Sequence, residues 1–273
     1  SALAAAAAPA RAAAPYAVLS SNADHYRTAL AGFEEAWGSS VPYALLGQEA
    51  VPPGAVVVAF GSRAARKAWP SDSLLVTCLA PGARPEREGG VLRADLLPEP
   101  ALLVERLRRL LPRLKVLRVL WSSADEAEDV AAIAAEAREH GIEVRSERIA
   151  EPDDLPDALR GFENDADAFW LMPDPALVNA RNFAILREFA AARREPFLAP
   201  TQGLAGKGAT ATLAASFRDV GRAAAEALKT RLAGADDLAL IHPDTLRVVV
   251  NAESAARTGL DLKGARDVDE VLK

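Results

Sequence analysis

Cysteine is almost missing from this chain: Cys78 is the only one. A single thiol excludes an intramolecular disulfide and any cysteine-based metal cluster, and it leaves the redox compartment undecided. Histidine is nearly as scarce, with only His25, His140 and His242, far apart in sequence. His140 ends a helical stretch, where an imidazolium suits the dipole, and His242 precedes a proline in a connecting segment. Neither a nucleophile triad nor a metal-spaced His/Asp/Glu set can be assembled from them. Ser62 in "AFGSRAA" sits at a strand-to-helix turn but lacks the second glycine of a nucleophile elbow. "GLAGKGAT" (203–210) follows its lysine with Gly208 instead of Ser or Thr, so it fails as a phosphate loop. No G-x-G-x-x-G follows the first strand. These absences predict no catalytic residue, no metal and no cofactor, and a chain that is not an enzyme.

Long apolar runs are absent too, so no segment reads as a membrane-spanning helix. The net charge is −6, and no block of Lys/Arg alternates with aromatics, which argues against a nucleic-acid partner. The richest basic run, "VERLRRLLPRLKVLR" (104–118), has leucine at helical spacing and reads as an amphipathic helix with a solvated basic face. Half the residues are hydrophobic, enough for one large or two ordinary domains in 273 residues.

The first residues, "SALAAAAAPARAAAP", lack an initiator methionine and are rich in Ala and Pro. Ala-x-Ala patterns flank signal-peptidase sites, so residues 1–15 read as a loosely ordered, signal-derived tail. An artificial start accounts for the missing methionine equally well. Beyond Pro15, short apolar runs alternate with helical patterns: "YAVLSS", "GAVVVAFGS", "SLLVTCLA", "GGVLRADLL", "VLRVLWSS", "IEVRSERI", "AFWLM", "PFLAPT" and "GATATLAAS". This is an α/β chain with parallel sheets. A weak internal repeat pairs 17–38 with 118–141: apolar strand, Ser-Ser, Ala-Asp, amphipathic helix, terminal Gly. The repeat predicts two doubly wound lobes of similar plan.

"DADAFWLMPDPALVNARNFAILREFAAARREPFLAP" (165–200) shows how one strand passes into the next helix. Ala168–Met172 reads as a strand buried on both faces, and Pro173 ends it. Asp174 then reads as the N-cap and Pro175 as the first helical residue. Small polar groups recur at such strand ends. They predict a ligand-binding rim of Ser21, Asn22, Gly61, Ser62, Cys78, Ser122, Ser123, Asp174, Thr201 and Gln202. Tyr26, Trp121 and Phe217 are its candidate walls. Free N–H groups at helix starts suit a carboxylate, and Asp174 suits an ammonium, so a small zwitterion such as an apolar or aromatic amino acid fits. The competing reading is that Ser and Asp there only cap their own helices.

Residues 167–234 resemble the ABC-transporter substrate-binding proteins of type I periplasmic-binding fold, the group that includes aromatic amino-acid binders. The resemblance rests on a strand, Pro-Asp, a helix, a strand with a polar loop, a Gly-Ala strand and a helix with Gly221-Arg222. It rests also on the closing Asn251, Ala255 or Ala256, Gly259 and Leu260, and on "GSRAA" in place of the family's Gly-Thr-x-Ala-Ala turn. Two departures lie in the first half: "GSSVPYALLGQEAVPPGAVVV" is short, and "CLAPGARPERE" replaces the usual Asp-Pro-Val motif. The resemblance implies three hinge crossings, near 95–98, 214–217 and 239–245. The lobes would then be 16–97 plus 216–240, and 98–215 plus 241–273. It implies a monomeric receptor, periplasmic or membrane-anchored on the extracytoplasmic side, that binds a small-molecule solute and docks on an ABC permease. Rival expectations are a sensing or scaffold protein of the same fold without transport, and an enzyme on a doubly wound scaffold. An effector domain of a transcription regulator would need a DNA-binding headpiece, which residues 1–15 cannot form.

Overall fold

A computed structural model describes residues 14–85, 90–163, 165–235 and 239–273. Residues 1–13 of the expected tail, and the basic-acidic stretch 86–89, lie outside the described residues.

The first sheet begins with β1 (Pro15–Leu19), α1 (Asp24–Trp37), β2 (Tyr43–Leu45) and β3 (Val56–Phe60). A short α2 (Ser62–Ala65), β4 (Leu75–Cys78) and β5 (Val91–Ala94) follow. All five residues of β3 are buried, as expected of a central parallel strand covered on both faces. The shortened segment 39–55 carries β2, a three-residue edge strand, and no helix.

The chain then crosses to the second sheet through 95–99. It forms α3 (Pro100–Leu110), β6 (Val116–Trp121), α4 (Ala127–Glu139), β7 (Glu143–Arg148), α5 (Leu155–Gly161) and β8 (Ala168–Leu171). Next come α6 (Ala180–Arg193), β9 (Phe197–Ala199) and β10 (Ala211–Ala214). It returns through 215–216 to α7 (Phe217–Leu232) and β11 (Leu240–Ile241), then crosses a third time through 242–246. It ends in β12 (Arg247–Asn251), α8 (Ala252–Thr258) and β13 (Glu270–Leu272).

Strand order in the first sheet is β11-β5-β4-β3-β1-β2, and every pair is parallel. In the second it is β13-β12-β10-β9-β8-β6-β7. There β12 runs antiparallel to β10, because the chain re-enters from the first lobe at that edge instead of completing a helical crossover. Each sheet is covered on both faces. In the second, Leu117, Val119 and Trp170 pack toward α3 and α4, while Phe169, Leu171 and Phe197 pack toward α5 and α6. The first sheet likewise places Leu19, Val58 and Phe60 against α1 and α7, and Val18, Val57 and Ala59 against α2. Helices α1 and α7 approach backbone to backbone. A β-carbon on Gly221 would lie 1.9 Å from the Ala29 carbonyl oxygen, and one on Gly32 would lie 2.1 Å from that of Arg218. Glycine is required at both positions by this packing.

Helix α6 departs from the sequence expectation. It starts at Ala180, capped by the Asn179 side chain, which accepts from the Asn182 N–H at 2.9 Å. Asp174 is therefore not its N-cap, and Pro175 is not its first residue. The carboxylate of Asp174 is drawn sideways to a neighbouring strand end, and residues 174–179 form an irregular turn before the helix begins.

Candidate functional site

The polar residues at the strand carboxyl ends fall into two groups, one per sheet. In the first lobe the Ser20 hydroxyl, where β1 ends, accepts the Ala64 N–H at 2.9 Å and ties that end to α2. Gly61 has φ 91°, and a β-carbon on it would meet the Tyr26 hydroxyl at 2.4 Å and the Ser20 Oγ at 2.6 Å. Glycine there lets Tyr26 fold down over the end of β3. Burial raises the Tyr26 phenol above its ordinary pKa, opposed by its hydrogen bond with Ser20 and by Arg63. Tyr26 packs at a tilt against His25 (ring centroids 4.1 Å apart), and the His25 ring centroid lies 5.7 Å from that of Phe217 at the start of α7. Burial lowers the His25 pKa, with Asp24 opposing, which favours a neutral ring in this small aromatic wall. Ser62 donates to the Pro81 carbonyl at 3.3 Å, and Ser21 and Asn22 are exposed at the rim.

Cys78 is a correction. Its side chain is fully buried among Phe60, Val76 and Leu92, and burial pushes its thiol pKa far up. β4 is covered on both faces, and Cys78 lies on the face packed with Val76, so it faces no rim.

In the second lobe Asp174 is 2% exposed. Its Oδ2 accepts the Ser122 N–H at 2.7 Å and the Ser122 hydroxyl, and its Oδ1 accepts the Ala176 N–H at 2.9 Å. The carboxylate thus clamps the end of β8 to the end of β6, and both its oxygens are engaged by the chain itself. Ser123 accepts the Asp125 N–H at 3.3 Å and opens a short 3-10 turn, 124–126. Trp121 carries the Arg148 guanidinium over its ring, and its Nε1 is buried without a partner among the described residues. Thr201 is half-buried, and Gln202 donates to the Ala214 carbonyl at 3.2 Å beside the second crossing.

The two groups face one another. The loop after β4 meets the turn after β6: Arg84 Nη2 donates to the Asp125 carbonyl at 2.6 Å, and Arg84 lies 3.7 Å from Asp129. A β-carbon on Gly82 would lie 3.3 Å from the Ser123 hydroxyl, so the Gly82 turn lies against the side chains after β6. Sequence reasoning missed the residue at the centre of this contact. Glu126 is 3% exposed, its Oε2 has no partner among the described residues, and its carboxyl is pushed up to about 8. Burial is the main cause, followed by the negative charges of Asp174, Asp95 and Asp129, against the opposing Arg84. Asp95 stands at the end of β5, where it pairs with Arg93 at 3.0 Å and accepts the Leu97 N–H at the first crossing. His242, at the third crossing, donates through Nδ1 to the Leu97 carbonyl at 2.9 Å. Arg84 also has a buried Nη1 without a partner among the described residues. The only sequence signal for this cluster was that Arg84 stands in "CLAPGARPERE", the stretch that departs from the family motif.

Carboxyl ends of parallel strands from two sheets therefore oppose one another across a charged contact threaded by three crossings. That is where open α/β sheets bind ligands. The sequence pattern of the ABC transporter substrate binding protein family matches residues 101–266, more than half of the chain. The chain belongs to that family.

Solved structures agree on the fold of this substrate binding protein. An ABC domain from Streptococcus pneumoniae, solved in complex with L-Trp, superposes with a TM-score of 0.67 at 16% identity, covering 95% of this chain and 100% of that one. A conserved domain protein from Vibrio cholerae gives 0.66 at 15% identity, covering 96% and 100%. A ligand-free, open substrate binding protein with adhesive properties from Clostridium difficile gives 0.65 at 16%, covering 96% and 99%. No curated protein matches the chain. Among the described residues no group of three or more His, Cys, Asp or Glu could hold a metal ion. None of their helices is long and apolar enough to cross a membrane.

Proposed function

We propose that this chain captures a small amine-bearing solute, with an amino acid as the leading class, between its two lobes on the extracytoplasmic side. It then presents the closed form to an ABC permease as a monomer. The lobes are 16–97 plus 216–240, extended to Ile241 because β11 pairs with β5, and 98–215 plus 242–273, hinged at the three crossings.

The observation that carries this reading is the pair Arg84 and Glu126, one from each lobe, each with a buried side-chain atom that lacks a partner among the described residues. A buried polar atom without a partner costs free energy, and a ligand with one donor end and one acceptor end relieves both at once. The field around Glu126 is negative because Asp95, Asp129 and Asp174 surround it, so an ammonium is attracted there. Tyr26, His25 and Phe217 supply an aromatic wall on the first lobe. The remaining rim residues Ser21, Asn22, Gly61, Ser62, Trp121, Ser122, Ser123, Thr201 and Gln202 offer hydroxyl, amide and backbone groups. Asp174 acts on this site by holding the ends of β6 and β8 together.

Thermal unfolding against amino acids, purines, sugars and small acids tests the reading. A ligand at about a hundred times its Kd adds roughly 2.7 kcal/mol, and a rise confined to amine-bearing compounds is expected. A flat response across the whole panel sinks the proposal.

A second reading has one specific support. Arg84 and Gly82 already join the lobes by protein-to-protein contacts, which suits a sensing or scaffold role without transport. Arg84→Ala separates the two. On the receptor reading it weakens solute binding while the scattering radius of the free protein stays near wild type. On the scaffold reading the free protein expands and no solute in the panel restores it.

A further inference from the structure

A cavity lies at the opposite end of the second lobe from the charged contact. It has a volume of about 900 Å³, and its walls include Leu114, Asp167 and Pro196, which lie one or two residues before β6, β8 and β9. It therefore opens at the amino ends of the parallel strands, whereas the rim above is built at their carboxyl ends. Its volume is within the range that holds a small organic molecule.

Five arginines line this cavity in a chain whose net charge is −6. Two are already occupied: Arg109 pairs with Glu105 and Asp267, and Arg108 lies 3.1 Å from His140 Nδ1. The other three come from distant parts of the sequence. Arg113 sits in the loop between α3 and β6, Arg194 at the left-handed end of α6 (φ 55°), and Arg266 between α8 and β13. None of the three has an ion pair or a side-chain hydrogen bond among the described residues, and all three are exposed. The three acids lining the cavity form no ion pair with them among the described residues. Asp167 accepts the Lys115 and Val116 N–H groups, Asp261 accepts the Lys263 N–H, and Glu105 faces Arg109. The ends of α3, α6 and α8 also converge here, each presenting a partial negative charge of about half a unit. Those dipoles attract the guanidinium groups toward the cavity but leave their outer forks open.

We propose that this cavity is a second binding site, for a phosphate-bearing anion with an apolar body. The guanidinium forks of Arg113, Arg194 and Arg266 match phosphate oxygens in pairs, and Leu110, Leu114 and Leu260 supply the apolar floor. The basic run at 104–118 thereby contributes to a specific concave site as well as to a solvated helix face. The phosphate has two sources, a soluble organophosphate or the headgroup of an anionic lipid.

The test is a calorimetric titration with inorganic pyrophosphate, and co-sedimentation with phosphatidylglycerol vesicles, on the wild-type chain and three variants. Arg113→Gln with Arg266→Gln removes two forks, and Arg194→Asn removes the third with a residue that tolerates the left-handed backbone. Arg181→Gln removes a positive charge outside the cavity, from an exposed pair with Asp153, and serves as control. Each lost charge-assisted contact is expected to weaken pyrophosphate by about tenfold, with the control unchanged. Vesicle binding lost in the same variants assigns the lipid headgroup, and pyrophosphate binding without vesicle binding assigns the soluble source. The proposal is overturned if neither probe binds wild type at low salt, or if the variants bind pyrophosphate as wild type does. It is overturned also if they lose melting temperature with no change in anion affinity, because the arginines then serve only the helix ends. The amino-acid panel reports on the interlobe site independently, so either site can fail alone.

Discussion

Glu126 gives the sharpest test of how the lobes meet. Its carboxyl titrates near 8 in the folded chain because it is buried and faces Asp174, Asp95 and Asp129, with only Arg84 opposing. In the unfolded chain it titrates at about 4.3. A carboxyl with a raised folded pKa supports folding fully below its unfolded pKa, and that support is lost as pH rises through its folded pKa. From pH 6 to pH 9 the loss accumulates up to about pH 8 and then levels off. Two units at 1.36 kcal/mol each give about 3 kcal/mol. For a chain of 273 residues, an unfolding entropy of about 2.1 cal/mol/K per residue makes that about 5 °C. Glu195 is pushed up to about 7 by burial and adds its own decline with the same sign. Comparison with Glu126→Gln cancels it, because the amide is a neutral mimic of the protonated acid. Differential scanning calorimetry should show the variant close to wild type at pH 6 and about 5 °C more stable at pH 9. A gap of this size that is already present at pH 6 and does not grow would mean that Glu126 is ionised there. The buried acidic contact would then be wrong.

Two further substitutions probe the frame around the site. Asp174→Ala leaves the Ser122 and Ala176 N–H groups without their acceptor and should cost about 3 kcal/mol in urea unfolding. A loss below about 1 kcal/mol would show that Asp174 is not the strand-end clamp and is free to hold a ligand's ammonium. Gly221→Ala raises intrinsic helix propensity by up to about 1 kcal/mol, yet it forces a methyl into the Ala29 carbonyl. Net destabilisation of about 1–3 kcal/mol is expected from overpacking, and a gain in melting temperature would refute the tight contact between α1 and α7.

The β-α repeats were legible because buried parallel strands write themselves as short apolar runs, as in Val56–Phe60 and Ala168–Leu171, both buried throughout. The family was legible for the same reason, joined to local turn residues that recur in order. What escaped were features set by contacts between distant segments. Asp174 has the composition of an N-cap, but its partner is Ser122, fifty-two residues away in the chain. Cys78 stands at a strand end beside polar neighbours, and only the packing that covers both faces of β4 to its last residue buries it. The edge strand β13 and the reversal of β12 follow from where the third crossing re-enters the sheet, which no periodicity encodes.

Glu126 is the instructive case. Read along the chain it is one acid among several in "SSADEAED", solvated by default. Its burial comes from the Gly82–Arg84 loop of the other lobe, which replaces a family motif and carries the opposite charge to meet it. The departure that weakened the sequence resemblance in the first lobe and the acid that sequence reasoning passed over are therefore two sides of one contact. A first lobe with a different loop would leave Glu126 more hydrated, and its pKa would fall back toward the ordinary carboxylate range. Recognition by this chain is best sought where it differs from its relatives, between residues that only folding brings together.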